Sequence, residues 1–439
     1  MPKEKIRRRR HLPPALRERD FALLWIASLT MGLGGQMAAV AVGWQVFAIH
    51  HSAFDLGLIG LAEFVPLPLL ALPAGHLADR LPRRHVFAAA VAIDMVVMAL
   101  LLMVTRSGAT RLWPFLALAA ATGVASAIGS PAARALPPTL VPTEMLAGAL
   151  ALRSIAMQIA TVAGPAIGGF VFVLRPELPY EVALGLFALS GVCALLLRSP
   201  AARTRAGSGG APDWSSLVAG IGFVRKTPVL LGAITLDLFA VLLGGQIALA
   251  PLFARSILHV GPEGLGLLRA APAVGAILAG VMLTRRPSMR HAGRTLLFVV
   301  AGFGASMIVF GLSRSFPLSL GALAVSGFVD MVSMNIRATT AALATPDRLR
   351  GRVNAIEMVF ISASNQLGAF ESGAAAALVG AAPAVVAGGV LTVLIASVWP
   401  RFFPALSRID RLEELRPERE PEEPPPAPIE PAEPPSEFW

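Results

Sequence analysis

Residues 21–49 read FALLWIASLTMGLGGQMAAVAVGWQVFAI, a stretch without one Asp, Glu, Lys or Arg. At 1.5 Å of rise per residue, about 20 apolar residues in a helix cover the ~30 Å of a bilayer's hydrocarbon. The stretch lacks the period of two that a barrel wall requires, so it reads as a membrane-crossing helix. It runs into the polar turn His50 to Ser52 and not into a small-residue cleavage site, so the helix is expected to be retained. The whole composition agrees. Of 439 residues, 55% are hydrophobic and 15% charged, with 41 Gly in addition, and mean hydropathy is +0.68, whereas a soluble domain carries about 25% charged residues.

Eleven more segments approach the same criterion. They are Leu56 to Leu77, Val86 to Val104, Leu112 to Ile128, Leu146 to Leu174 and Tyr180 to Leu197, then Val229 to Leu252, Gly264 to Leu283, Thr295 to Leu312, Phe316 to Ile336, Val353 to Val379 and Pro383 to Phe402. The expected fold class is all-α and integral to the membrane, with twelve transmembrane helices. A linker at 198–228, rich in Gly, Ser, Ala and Arg, divides them into two six-helix bundles, 20–197 and 229–403. A basic segment, 1–19, precedes the first. The segment 404–439 follows the second, with ten Asp or Glu against four Arg, and its Pro and Glu run has too little apolar area to order itself.

Placement of the 37 Lys and Arg is lopsided. Arg106, Arg111, Arg175, Arg255 and Arg314 fall on one side, Arg153 and Arg269 fall within spans, and all the others fall on the side of the termini. The positive-inside rule then puts both termini and the linker in the cytoplasm. The net charge of +10 is therefore an orientation signal divided among short segments. Nucleic acid, which needs basic residues gathered on one folded face, is not an expected partner, and the lipid bilayer is.

Several chemistries find no support. One cysteine, Cys193, excludes an internal disulfide framework and a Cys-rich metal site. There is no Gly-x-x-x-x-Gly-Lys-Ser/Thr loop, no His-Glu-x-x-His helix and no serine elbow, and His50-His51 reads as a surface pair. No enzyme, cofactor or metal is expected.

The halves repeat one another. Gly34-Gly35-Gln36 recurs as Gly244-Gly245-Gln246, an offset of 210, and Leu56-Gly57-Leu58 recurs as Leu265-Gly266-Leu267, an offset of 209. Gly75 has a counterpart near Gly280, and Gly164 aligns with Gly368 at an offset of 204. Such slow drift implies two parallel six-helix repeats, the build of transporters that rock one half against the other about a site near the membrane midplane.

After the second span the chain reads Gly75-His76-Leu77-Ala78-Asp79-Arg80-Leu81-Pro82-Arg83-Arg84. This resembles the Gly-x-Leu-Ala-Asp-Arg-x-Gly-Arg-Arg signature of the major facilitator superfamily, with Pro82 in place of its second Gly. The counterpart loop has Thr284 where Asp79 would fall, so any charge latch is one-sided. Gly75 lets helix ends approach closely, and Asp79 would be favoured by a helix N-terminus or an arginine; the resemblance implies Arg134 and the start of helix 11 as its partners. Arg80, Arg83 and Arg84 belong to the same loop and also serve topology. Gly164-Pro165-Ala166-Ile167-Gly168-Gly169 resembles a Gly-Pro-x-x-Gly motif of the superfamily's exporters, and small residues there also suit plain helix packing. Ser130 to Arg134, Pro138 to Pro142 and Asn354 to Gly373 look like the branch that includes the bacterial enterobactin exporter and drug efflux proteins. The resemblance covers about residues 17 to 403 and implies export across the bacterial cytoplasmic (inner) membrane by proton antiport.

Ionisable groups within spans are functional candidates by default. In the superfamily's arrangement helices 1, 4, 7 and 10 line the cavity, which makes Asp237 and Asp330 candidates for proton coupling, with Glu63 beside them. A poorly hydrated carboxylate can take up and release a proton near neutral pH. Asp94, on a peripheral helix, is expected to be structural. Arg153 and Glu357 occupy equivalent repeat positions and form a candidate gate pair, and Glu371 with Arg269 is a candidate outer counterpart. Gln36, Trp44, Gln45, Gln246 and Asn335 are candidate substrate contacts, and Phe47, Phe239 and Phe253 are candidate stacking surfaces.

The reading is a monomeric secondary transporter that exports a small hydrophobic or amphipathic molecule of the drug or siderophore class against protons. An importer or lysolipid flippase on the same fold, and a transport-inactive scaffold or sensor using the acidic tail, are the alternatives.

Overall fold

The computed structural model describes residues 13–70, 81–108, 110–198, 214–285, 290–346 and 349–411. Among the described residues, eleven helices are long and apolar enough to cross a membrane. In the first half these are α1 (Arg19–His50), α2 (Ala53–Leu70), α3 (Arg83–Arg106), α4 (Trp113–Ala135), α5 (Leu146–Leu174) and α6 (Leu178–Leu195). In the second they are α7 (Pro228–Gly244, continuing irregularly to Ile257), α8 (Pro262–Arg285), α9 (Ala292–Leu312), α10 (Phe316–Ala344) and α12 (Ala381–Phe402). The remaining expected span is α11 (Arg350–Val379), about 45 Å long at helical rise but too polar to pass on composition. Two of its polar residues, Asn365 and Gln366, line a cavity between the halves.

Local chemistry sets the breaks. His51, at a left-handed φ of 53°, ends α1, and the Ser52 hydroxyl accepts from the Asp55 N–H at 3.2 Å to cap α2. In α2 a turn at Val65 precedes Pro66, whose ring cannot continue the helical hydrogen bonding. The repeated Gly-Gly-Gln runs straight through α1, yet α7 stops beside it. There Gly245 leaves helical geometry (φ −79°, ψ 54°), and a 3-10 turn (Gln246–Leu249), one α turn (Ala250–Leu252) and a π turn (Phe253–Ile257) follow. Pro251, which would clash with the carbonyl at 247 in a regular helix, stands where α1 has Ala41.

The packing is pseudo-symmetric. In the first half α1 packs on α5 and α6, α2 on α4, and α3 on α4 and α6. Each contact recurs six helices later, as α7 on α11 and α12, α8 on α10, and α9 on α10 and α12. Each half has its own core, one around Phe87, Tyr180 and Phe187, the other around Leu236, Leu296 and Trp399. The aligned glycines play matching parts, since Gly164 lies against Leu33 and Gln36 of α1 and Gly368 against Val241 and Leu242 of α7.

The halves meet along two seams related by the same symmetry, α2 with α11 and α5 with α8. Gly57 abuts Phe370 and Gly373 in one, and Gly169 abuts the Pro262 carbonyl and Gly266 in the other. A Cβ at Gly169 or Gly373 would strike backbone, so only glycine permits this approach. These contacts lie toward the end of the bundle opposite the termini.

Candidate functional site

Between the halves lies a cavity of about 960 Å³, lined from both. Most of its wall is apolar, and among the described residues four ionisable side chains line it: Glu63 of α2, Asp94 of α3, Arg269 of α8 and Asp330 of α10. Gln366 of α11 hydrogen-bonds Glu63, and Arg269 is the cation that acts on it. Arg269 also crosses to the first half, where Nη1 donates to the Ala39 carbonyl at 2.8 Å. Asp94 adjoins Glu63 electrostatically. A second crossing comes from Gln158 of α5, whose Nε2 donates to the Ala273 carbonyl at 2.9 Å. Pro272, with no N–H and a helix-interior position, sits beside this acceptor in the cavity wall.

Asp237 stands apart from the main cavity. On α7 it forms an ion pair with Arg337 of α10, Nη1 to Oδ2 at 2.5 Å, with side chains only 10% and 7% exposed. A small crevice lined by Asp237, Ser333 and Asp330 joins this pair to the cavity residue. Glu357 of α11 feels both Arg337 and Asp237. It therefore belongs to this group, while Arg153 lies beside Arg134. The two members of the candidate gate pair are in different surroundings. Glu371 has Ser372 as its hydrogen-bonding neighbour, while Arg269 is engaged by Glu63 and the Ala39 carbonyl.

Of the candidate substrate contacts, Gln36 lines the cavity. Gln45 is taken up within the first half, its Oε1 accepting from the Tyr180 hydroxyl at 3.0 Å and the Thr105 hydroxyl at 3.2 Å. Trp44 lies under the Arg255 guanidinium, 5.7 Å from the ring centre. Asn335 is exposed on α10, and Gln246 sits in the 3-10 turn after the α7 break, its side chain outside the description. Phe47 is core, Phe239 meets Trp399 edge-on at 6.0 Å, and Phe253 stacks on Phe310 at 4.5 Å.

Around the signature loop, Gly75, Asp79 and Arg80 lie outside the described residues. Arg83 Nη1 donates to the Ala135 carbonyl at 3.1 Å and Arg84 Nη1 to the Leu197 carbonyl at 2.9 Å, so both cap the ends of neighbouring spans where carbonyls are unsatisfied. In the Gly-Pro motif, Gly164 and Gly168 press on α1 and Gly169 on α8, so α5 is wedged between its own half and the other. Pro165 lies in the same contact, its carbonyl against Gly266.

Three residues were not singled out as site residues from the sequence. Asp94 shares a face with Met98 and Leu101, and all three line the cavity; their i, i+4, i+7 spacing was the available signal. Arg337 was placed beyond its span, but α10 continues to Ala344 and buries it; an acid as deep as Asp237 calls for such a cation. Gln366 was seen only as part of a resemblance.

A family model described as transmembrane secretion effector matches residues 12–427. The enterobactin exporter EntS of Citrobacter koseri is 26% identical over 343 residues, 76% of this chain and 79% of that protein. The staphyloferrin A transporter of Staphylococcus aureus is 26% identical over 149 residues, 34% of this chain and 38% of that protein. Among solved structures, a bacterial homologue of the human lysosomal transporter Spinster, inward-facing and occupied, superposes with a TM-score of 0.69 at 15% identity, covering 89% of this chain and 97% of the other.

Proposed function

Because this chain belongs to the transmembrane secretion effector family of major facilitator transporters, we propose that it is a secondary active exporter that moves a small amphipathic molecule out of the cytoplasm in exchange for protons. The observation that carries the reading is a cavity of about 960 Å³ between two pseudo-symmetric halves with buried carboxylates in its wall. A volume of that order holds a drug-sized molecule. Named relatives that export enterobactin or transport staphyloferrin A favour a small-molecule cargo.

With both termini in the cytoplasm, as the distribution of Lys and Arg implies, the closed seams lie on the outer side. The structure then reads as the state that loads from the cytoplasm, which an exporter must visit. Glu63 and Asp330 are the proton-coupling residues in this reading, since both face the cavity. Asp237 communicates with Asp330 through the crevice and serves it indirectly. Opening outward requires Arg269 to release the Ala39 carbonyl and Gln158 to release Ala273. In an exchanger that step runs with cargo bound and the proton released, and the return step runs with the proton taken up from the outer side. The domain boundaries proposed are bundles at 20–197 and 229–403 with the linker between.

Inverted membrane vesicles, cytoplasmic face outward and interior acidified, test the reading. An exporter accumulates its substrate inside and collapses the pH gradient as it does so; an importer on the same fold expels the substrate instead, and a scaffold moves nothing.

A further inference from the structure

The cavity assigned above to transport carries a charge pattern that selects its occupant. Three carboxylates, Glu63, Asp94 and Asp330, face one guanidinium, Arg269. Arg269 is already engaged by Glu63 and by the Ala39 carbonyl, and Glu63 has Gln366 as well. Among the described residues, neither Asp94 nor Asp330 has a hydrogen bond or an ion pair. The cation near Asp330, Arg337, is held by Asp237, and the charge acting on Asp94 is that of Glu63, another acid. Asp330 is half-buried and lines the cavity from the second half, while Asp94, also half-buried, lines it from the first.

An anion brought into this space meets two uncompensated acids and, among the described residues, no free cation, and the low dielectric of the interior magnifies the repulsion. A cation meets the reverse. Its hydration, lost on entry, is replaced by two carboxylates and by the faces of aromatic rings, which attract positive charge; Phe115, Phe187, Phe303 and Phe310 line the same cavity. Methionines at 31, 98 and 307 add adaptable apolar wall.

We propose that the transported molecule is an amphipathic cation, its positive centre seated at Asp330 and Asp94 and its apolar body against the aromatic and methionine wall. This rests on the cavity being the transport site, and it names the cargo's chemistry. It also supplies the exchange: a protonated Asp330 that receives the cation releases its proton, so the carboxylate carries one positive partner at a time and charge is conserved at the site.

Tetraphenylphosphonium and tetraphenylborate have nearly the same shape and opposite charge, so they separate charge from size. Equilibrium dialysis of the full-length protein in lipid nanodiscs, with empty nanodiscs subtracted, is expected to show tetraphenylphosphonium binding at least tenfold tighter than tetraphenylborate. Asp330→Asn and Asp94→Asn should each weaken the phosphonium about tenfold, with Asp330→Glu and Asp94→Glu restoring most of it. Equal or tighter binding of the borate, binding of neither ion, or phosphonium affinity unchanged in folded Asn variants would overturn the proposal; the comparison of the two ions on the unaltered protein stands even if a variant fails to fold. The two readings fail separately. Selective phosphonium binding without proton-driven flux in vesicles removes the exporter and keeps the site's chemistry, whereas proton-driven export together with a preference for the borate removes the cation and keeps the exporter.

Discussion

Asp237–Arg337 and Glu63–Arg269 both place opposite charges inside the bundle, but one lies within a half and the other lies between halves. Asp237 and Arg337 sit on α7 and α10 of the second half and are nearly sealed. Glu63 and Arg269 come from opposite halves, line an open cavity, and share their surroundings with a backbone carbonyl and an amide side chain. If the halves rock as bodies, the first pair travels intact and the second is remade in every cycle. Buried charge thus does two jobs here, and the position of a pair relative to the seams separates them.

The largest expected effect breaks the sealed pair. Asp237→Asn leaves Arg337 charged in a closed site, where losing an ionic partner costs about 3–5 kcal/mol. The thermal unfolding midpoint in detergent should fall accordingly, and Asp237→Leu combined with Arg337→Met should recover most of it. A single variant as stable as the native chain would erase the distinction between the two pairs.

A smaller effect is expected at the seams on which the second pair depends. Gly169→Ala has no space for its Cβ against the Pro262 carbonyl and Gly266, and overpacking of this kind costs about 1–3 kcal/mol. It acts on the closed seam only, so spin labels at Phe170 and Glu263 should move apart and transport should slow, while each half keeps its fold by circular dichroism.

Glu63→Gln sharpens the contrast with Asp237. Arg269 retains the Ala39 carbonyl and access to the cavity, so stability should change by less than about 1 kcal/mol, yet proton-driven transport should fall at least tenfold, equivalent to about 1.4 kcal/mol. Unfolding comparable to Asp237→Asn would mean that both pairs are structural. The smallest change is Tyr180→Phe, which removes one hydrogen bond to Gln45 inside the first half and should cost about 1 kcal/mol with transport rates retained.

What the sequence revealed and concealed follows the same division. Span length and the Gly-Gly-Gln and Leu-Gly-Leu repeats are local properties, and they already implied the helices and their two-fold arrangement. The Gly-Pro motif was legible as a close-packing site because glycine density is itself the signal. Facing was harder to read. Asp94 looked peripheral because helix 3 was judged whole, although one of its faces reaches the cavity. Arg337 looked external because apolar content fades at Ile336, whereas helix length there is set by burial against a partner charge on another helix. The break in α7 was hidden by the tripeptide's unbroken twin in α1; Pro251, five residues beyond Gln246, is what distinguishes them.

The central claim is that the two halves open on one side only at a time. In a Cys193→Ser background, pulsed electron resonance distances between labels at Phe54 and Leu378, across the α2–α11 seam, and between His85 and Arg294, at the end bearing the termini, test it directly. On binding of a cargo such as tetraphenylphosphonium, the first distance should lengthen as the second shortens. Both distances lengthening together, or neither changing while transport continues, would contradict alternating access.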